Sequence, residues 1–437
     1  MKISVFGLGY VGTVSVGCLA AGGHRVVGVD VNADKVATLN LGLAPIVEPE
    51  IGDLISNAHK LGLLKATTSS AEGIAQTDIS FLCVGTPSHA NGSLDLTYLK
   101  RVCEDIGAAL AKKRTPHTLV FRSTTLPGTT EDVAVPILEK HSGKRIGEGF
   151  FVCYNPEFLR EGTAVKDYYH PPKIVIGEGK QGEGDALAEI YGGIEAPLVR
   201  TSIRAAEMVK YSDNAFHALK VTFGNEIGIL CKKLGIDSHE VMDIFCKDTK
   251  LNLSKVYLKP GFAFGGSCLP KDLRALSYQA KRYDVETPVL NAIMVSNSTQ
   301  VRGLINQIVG LGRKRVGFLG MTFKPDTDDL RESPLVEVIE TLLGKGFPVK
   351  IYDRNIMTSR LIGANKRFID EHIPHLSSIL VEQIDDVVET ADVVVVGYIS
   401  PEFVPALQKM RAEQMIIDLA RVNGYEGFAA RYDGICW

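Results

Sequence analysis

Between Pro260 and Asp272 the chain reads PGFAFGGSCLPKD. Gly265 and Gly266 carry no Cβ, so the backbone there can take positive φ or pass close to a ligand, and Cys268 is presented from the far end of that turn. A thiol of ordinary pKa, about 8.5, is only slightly ionised at neutral pH, and a cation such as Lys271 behind it favours the thiolate. Most cysteines are small buried hydrophobes. Cys268 instead lies between loop-forming glycines and Pro270, with the charged pair Lys271-Asp272 following, which suits a nucleophile better than a core residue.

A second chemistry is legible at the N-terminus. Lys2 to Phe6 predicts a buried strand, followed by Gly7-Leu8-Gly9-Tyr10-Val11-Gly12 and an apolar helix to Ala21, stopped by Gly22-Gly23. In such a turn the first glycine bends the chain, the second admits a pyrophosphate and the third lets helix and strand pack, with the helix N-terminus facing the anion. A second strand, Arg25 to Val29, ends on Asp30, eighteen residues after Gly12. A carboxylate there accepts from ribose hydroxyls and repels a 2′-phosphate, which points to NAD rather than NADP.

Strands predicted at Asp78 to Val84 and Thr118 to Arg122 open into Gly85-Thr86-Pro87 and Ser123-Thr124-Thr125-Leu126-Pro127-Gly128. Ligands of a parallel sheet lie beyond the carboxyl ends of its strands, which makes Thr86 and Thr124 candidates, with turn chemistry as the plain alternative. A strand at Phe150 to Cys153 leads into NPEFLREG, residues 155 to 162, where Glu157 and Glu161 fall one turn apart if the segment is helical. Either could face a site; a solvated helix face would explain the pair equally well. From Ser202 to Leu234 one long helix is expected, capped by Thr201 or Ser202 and stopped by Gly235. It would span roughly 50 Å. Gly224 and Gly228 are expected to admit a second helix and hence a second subunit. Lys210, Asn214, His217 and Asn225 share one stripe of it, expected to face a ligand.

These residues need a scaffold, and the whole chain says which. Its 437 residues suffice for about three domains. With 45% hydrophobic residues, 23% charged and a net charge of −3, no global field is directed at nucleic acid or an anionic membrane. The eight cysteines form no C-x-x-C pair and no zinc-ligand spacing, and no apolar run or basic leader stands out. A cytoplasmic, metal-free enzyme with reduced thiols is expected. Arg315 to Gly320 (RVGFLG) echoes Lys2 to Gly7 (KISVFG), Pro348 to Asp353 (PVKIYD) echoes Arg25 to Asp30 (RVVGVD), and Asp392 to Gly397 (DVVVVG) echoes Asp78 to Gly85. The expected fold is therefore α/β, with two Rossmann-like doubly wound parallel-sheet domains, residues 1–200 and 301–437, joined by the long helix and a helical middle domain, residues 201–300. The second copy lacks the three glycines. Met321-Thr322-Phe323-Lys324-Pro325 stands there instead, with Asp328, Asp329, Arg331 and Glu332 beyond, so a different nucleotide-bearing ligand is expected, with Lys324 on its phosphate.

A dinucleotide site, a second nucleotide site and a nucleophilic thiol together suit an alcohol oxidised twice. The first hydride transfer gives an aldehyde, thiolate addition makes its carbon tetrahedral, a second transfer leaves a thioester, and water releases the acid. Lys210 and Asn214 could hold the oxyanion or water and Glu161 could activate that water.

FGGSCLPKD (264–272), NPEFLREG (155–162), GLGYVG (7–12), VGTP (84–87) and RESPLVEV (331–338) resemble the nucleotide-sugar 6-dehydrogenases, the UDP-glucose/GDP-mannose family, over essentially the whole chain. Leu269 after the cysteine and the ending Gly434-Ile435-Cys436-Trp437 resemble the members that take GDP-mannose and make GDP-mannuronate for alginate-type polysaccharides. The resemblance implies Cys268 as nucleophile, with Lys210, Asn214, Glu161, Asp272 and Thr124 in the catalytic chemistry. It implies NAD against Gly7, Gly9, Tyr10, Val11, Gly12, Asp30, Lys35, Thr86, Thr124, Lys271 and Arg331. It implies a nucleotide sugar against Glu161, Lys210, Asn214, His217, Asn225, Lys259 and Lys324, and against Tyr257, Phe262 and Gly265 of a partner subunit in a domain-swapped homodimer or a dimer of dimers. Val256 and Lys259 stand where that group is expected to hold Tyr and Arg; Lys keeps the charge and loses the planar fork. UDP-glucose as substrate, and a silent nucleotide-binding protein, are the alternatives.

Overall fold

The computed structural model describes residues 1–249, 258–282, 284, 287–359 and 376–437. Two compact units, Met1–Asp213 and Asn214–Trp437, divide the chain.

The first unit is built on one sheet of β1 (Lys2–Phe6), β2 (Arg25–Val29), β3 (Leu64–Thr67), β4 (Ile79–Leu82), β5 (Thr118–Phe121), β6 (Phe151–Tyr154), β7 (Ile174–Glu178) and β8 (Leu198–Thr201), in the order 3-2-1-4-5-6-7-8. All neighbours are parallel except β6 and β7. Apolar side chains fill both faces. Ile3 and Val5 of β1 join one core, while Phe6 joins Val27 and Val29 of β2 in the other, as expected of a sheet covered on both sides. Chain order reverses between β1 and β4, the switch point beyond whose carboxyl ends a doubly wound sheet takes its ligand. The expected strands lie within a residue or two of those observed. β8, reading LVRT, is largely exposed, and so carries none of the continuous apolar patterning that announces a buried strand.

The second unit has a five-stranded sheet of β9 (Val316–Leu319), β10 (Val349–Tyr352), β11 (Val393–Val396), β12 (Met415–Asp418) and β13 (Arg431–Gly434), ordered 10-9-11-12-13 and parallel throughout. Val393 and Val395 pack with Val316 and Phe318 on one face, and Val394 and Val396 with Leu319 on the other. The sequence repeat is thus a structural repeat.

Two helices carry the expected chemistry. One, α1 (Tyr10–Ala21), leaves the end of β1. The other, α2 (Ile203–Leu234), is one uninterrupted helix of 32 residues, within which the unit boundary falls. Ser202 Oγ accepts from the Ala205 N–H at 3.3 Å and Gly235 takes φ +69°, so cap and stop are those expected. The glycine pair on α2 corrects an expectation. A Cβ on Gly224 would lie 3.1 Å from the Leu258 carbonyl oxygen, and one on Gly228 would lie 2.7 Å from Pro260 and Cys436. These glycines admit segments of the same chain, and nothing about them requires a second helix.

A polar seam crosses the first core. Ser4 Oγ bonds Thr77 Oγ1 at 3.0 Å and Ser80 Oγ at 2.6 Å, and Ser80 Oγ bonds His117 Nε2 at 2.6 Å. Burial, reinforced by nearby Lys113, pushes the His117 imidazole down to about 3. With the folded value below the unfolded one of about 6.5, the unfolded chain binds the extra proton between them, and stability is lost as pH falls. Lowering pH from about 7 to about 5 should cost up to ~1.4 kcal/mol per unit below the unfolded pKa. Urea midpoints for wild type and His117→Gln would measure this; an equally steep acid loss in both would refute it.

Candidate active site

The turn after β1 is shaped for a dinucleotide. Gly7 takes φ +92° and its N–H donates to the Val29 carbonyl at 2.8 Å, which bends the chain from β1 into α1. A Cβ on Gly12 would lie 1.7 Å from the Gly7 carbonyl oxygen, so helix and strand meet only because that residue is glycine. A Cβ on Gly9 would meet nothing within 4 Å, which leaves open the face where a pyrophosphate would approach. Asp30 accepts from the Leu8 N–H at 2.6 Å and the Asn32 N–H at 2.9 Å, and Lys35 stands 4.0 Å from it. Tyr10 and Val11 form the first turn of α1, half-buried. The set fits NAD.

The same acid in the second sheet has another task. Asp353, at the end of β10, accepts from the Met321 N–H at 2.8 Å and the Thr322 N–H at 3.2 Å, as Asp30 does from Leu8. Its other oxygen accepts from the Asn355 N–H at 3.0 Å and the Tyr398 hydroxyl at 3.1 Å. Asp353 is 0% exposed and spent on the loops after β9, β10 and β11, leaving no oxygen for a ribose. Lys324, two residues beyond Thr322, is half-buried, with its ammonium 5.4 Å from the Phe323 ring centroid.

At the carboxyl ends of β4, β5 and β6 the first unit brings the other candidates to its sheet. Thr86 Oγ1 donates to the Thr124 carbonyl at 2.8 Å. After β6, residues 155–160 are irregular rather than helical, so Glu157 and Glu161 do not fall one helical turn apart. Asn155 explains the difference: its Oδ1 accepts from buried Arg122 and from the Tyr191 hydroxyl at 2.6 Å, and its Nδ2 donates to the Val175 carbonyl at 2.9 Å. Those bonds tie the residue that opens the segment to its surroundings. Glu157, buried, then ion-pairs with buried Lys210 at 2.9 Å and accepts from the Leu159 N–H at 2.7 Å. Burial alone would raise the Glu157 carboxyl, yet the Lys210 charge and hydrogen bond hold it below its ordinary range. Glu161 is half-buried. The segment beyond it is clamped by Glu48, which accepts from the Gly162 and Ala164 N–H groups, each at 2.7 Å, and from the Tyr10 hydroxyl. Sequence reasoning missed Glu48 and left Glu157 undecided. Glu48, between Val47 and Pro49 and 114 residues before Gly162, carries no local signal of this role.

In the second unit Cys268 is exposed and immediately precedes α3 (Leu269–Arg282), where the Asp272 N–H donates to its carbonyl at 2.9 Å. A helix N-terminus favours a thiolate. Asp272, 2% exposed, accepts from the Asn214 amide and pairs with Lys271 at 3.0 Å. Gly266 takes φ +85° and a Cβ there would strike the Phe323 ring at 2.8 Å; one on Gly265 would lie 2.5 Å from the Glu332 carbonyl oxygen. The cysteine loop is therefore packed on the 323–334 segment, and Arg274 and Glu332 join the two by paired hydrogen bonds, one at 2.6 Å. Asn225 is occupied structurally, accepting from the Gly261 N–H and donating to the Phe262 carbonyl, both at 2.9 Å. Phe262 is half-buried against the second core, His217 is half-buried and Lys259 is exposed. Arg331 donates to Asp329 at 2.6 and 2.8 Å. Tyr257 lies outside the described residues.

An NAD cradle on one sheet, a second sheet stripped of that cradle and an exposed thiol on a helix N-terminus define a nucleotide-dependent dehydrogenase. The chain belongs to the UDP-glucose/GDP-mannose dehydrogenase family: residues 1–195 match its NAD binding domain, 204–299 its central domain and 317–424 its UDP binding domain. It is 50% identical over 437 residues to the GDP-mannose 6-dehydrogenase of Pseudomonas aeruginosa, and 49% identical to that of Azotobacter vinelandii, in each case over 100% of both chains. The UDP-glucose 6-dehydrogenase of Haloferax volcanii is 41% identical over 361 residues, 81% of this chain and 83% of that one. Among solved structures, a UDP-glucose dehydrogenase from Pyrobaculum islandicum matches with a TM-score of 0.90 at 34% identity, covering 100% of this chain and 98% of that one. A ternary complex of GDP-mannose dehydrogenase from Pseudomonas aeruginosa matches with a TM-score of 0.58 at 49% identity, covering 100% of both. The protein is an NAD-dependent enzyme. Among the described residues no helix is long and apolar enough to cross a membrane.

The other seven cysteines are buried, and burial pushes the thiols of Cys18, Cys83, Cys103 and Cys153 up to about 12 and that of Cys436 up to about 11. Iodoacetamide at neutral pH should therefore modify Cys268 first, as peptide mass mapping would detect; equally rapid labelling of Cys83 would contradict this.

Proposed function

We propose that the chain oxidises the C6 alcohol of GDP-mannose to the carboxylate, yielding GDP-mannuronate for an alginate-type uronate polysaccharide. The observation that carries the covalent route is Cys268, exposed at the start of α3 with the buried Asn214–Asp272 pair one turn behind it. Gly7, Gly9, Tyr10, Val11, Gly12, Asp30, Lys35, Thr86, Thr124, Lys271 and Arg331 would hold NAD. Bound NAD supplies the hydride acceptor, once for each oxidation.

In the first oxidation the alcohol loses its hydroxyl proton to a base and a hydride from C6, becoming an aldehyde. The Cys268 thiolate adds to that carbon, forming a C–S bond and a thiohemiacetal alkoxide. Lys210, with its ammonium oriented by Glu157, and the Asn214 amide stabilise this oxygen. Loss of the second hydride as the alkoxide collapses leaves a thioester. Water, deprotonated by Glu161, attacks the carbonyl, the C–S bond breaks and the thiol is restored. Asp272 keeps Asn214 aligned. Substrate contacts are assigned to Glu161, Lys210, Asn214, His217, Asn225, Lys259 and Lys324, with Tyr257, Phe262 and Gly265 supplied by a second subunit. Residues 1–200 serve NAD, 201–300 the thiol and subunit contact, and 301–437 the nucleotide. Reliance on an exposed thiol suits a reducing compartment such as the cytoplasm.

Identity favours GDP-mannose over UDP-glucose: 50% over the whole length of a GDP-mannose 6-dehydrogenase against 41% over part of a UDP-glucose one. Purified protein should form two NADH per GDP-mannose consumed, and Cys268→Ser should stop before the acid. A much higher rate with UDP-glucose would reverse the substrate assignment, and undiminished acid formation by Cys268→Ser would remove covalent catalysis.

A homodimer is proposed along α2, supported by Phe216, Phe223 and Leu234, which are 45%, 40% and 64% exposed and line one side of the helix at spacings of seven and eleven. Phe223→Asp should convert the dimer to monomer in sedimentation velocity; an unchanged sedimentation coefficient would place the contact elsewhere.

A further inference from the structure

Glu207, in the second turn of α2, is 0% exposed, and its carboxylate is enclosed by donors from a single segment. Oε2 accepts from the Gly128 N–H at 2.6 Å. Oε1 accepts from the Thr130 N–H at 3.0 Å, the Thr130 hydroxyl at 2.7 Å and the Thr125 hydroxyl at 3.3 Å. Gly128 takes φ +94°, a conformation that turns its N–H toward the carboxylate and that side chains resist. An apolar side chain could anchor the start of α2 without the desolvation cost of a charge. What an apolar anchor lacks is direction, and four hydrogen bonds on two oxygens specify both the position and the rotation of the 125–130 backbone.

That segment continues directly from Thr124. On its other side the Tyr154 hydroxyl donates to the Ser123 carbonyl at 3.0 Å and accepts from the Thr125 N–H at 3.3 Å, while Thr86 holds the Thr124 carbonyl at 2.8 Å. Thr124 is thus pinned from both directions, and Glu207 supplies the restraint from α2. Three residues on, the same helix presents Lys210 to Glu157 at 2.9 Å. One turn earlier Arg204 also reaches this stretch, donating to Glu131 and Asp132 at 2.7 Å each, but from an exposed position where water competes.

We propose that Glu207 is a positioning residue: through the 125–130 segment it sets Thr124, on the cofactor side, in register with Lys210 on the same helix. This rests on the roles of Thr124 and Lys210 given under the proposed function.

The test compares Glu207→Gln, Thr130→Val and Arg204→Gln with wild type, each assayed well below its own unfolding midpoint. Glu207→Gln should lower kcat about tenfold to a hundredfold and weaken NADH binding, followed by fluorescence, at least about threefold, with the KM for the nucleotide sugar within about twofold. Thr130→Val should lose in the same direction, and the double variant should be little worse than Glu207→Gln alone. Arg204→Gln should keep its turnover. If Glu207→Gln and Thr130→Val lower only the unfolding midpoint, with kcat and NADH affinity unchanged, the positioning role is overturned. Should Glu207→Gln not fold, Thr130→Val and Thr125→Val decide by the same criteria. A wild type that binds NADH yet oxidises no nucleotide sugar would defeat the proposed reaction, while NADH affinities of the variants would still decide the role of Glu207.

Discussion

A charged or amide side chain withdrawn from water must be given partners, and on α2 that requirement organises the chemistry. Glu207, Lys210, Asn214 and Asn225 are all buried. Each is satisfied within its own compact unit: Glu207 by the segment after β5, Lys210 by the segment after β6, Asn214 by the first turn of α3 and Asn225 by the loop leading to Cys268. An unmatched charge or amide at any of these places would carry a heavy desolvation cost, so the loops are held in the arrangements that supply the matching group. Within each unit the loops packed on its part of α2 are fixed by these bonds.

The two sheets show how one local device serves two ends. In both, a glycine with positive φ follows the first strand, and the acid at the end of the neighbouring strand receives backbone N–H groups from that turn. In the first sheet the turn stays open above Gly9. In the second, Tyr398 and Asn355 consume what remains of the acid. The repeat therefore preserves a way of closing a β-strand onto a turn, while ligand binding depends on what is left unsatisfied afterwards.

Much of this was legible in the residues. The strands around Gly7 and Gly320, the caps of α2 and the exposed thiol follow from periodicity, glycine placement and the company each residue keeps. Glu157 and Glu161 were recognisable as candidates, but their relation depends on whether residues 155–160 coil into a helix, and with Asn155 bonded to Arg122, Tyr191 and Val175 they do not. Gly224 and Gly228 are equally ambiguous in isolation: any close neighbour would select glycine, and the neighbours here are Leu258, Pro260 and Cys436 of the same chain.

What the amino-acid order determined by itself is whatever rests on short-range chemistry: where strands and helices run, where the chain must turn, and which residue types could react. Which carboxylate faces Lys210, and which acids clamp the loops, was decided only by the tertiary structure. Glu48 is 114 residues from Gly162, and Glu207 is 79 from Gly128. A hydrogen bond over such a separation is specified by the packing of the whole sheet, and a lone glutamate in a sequence carries no mark of the distant N–H it will accept.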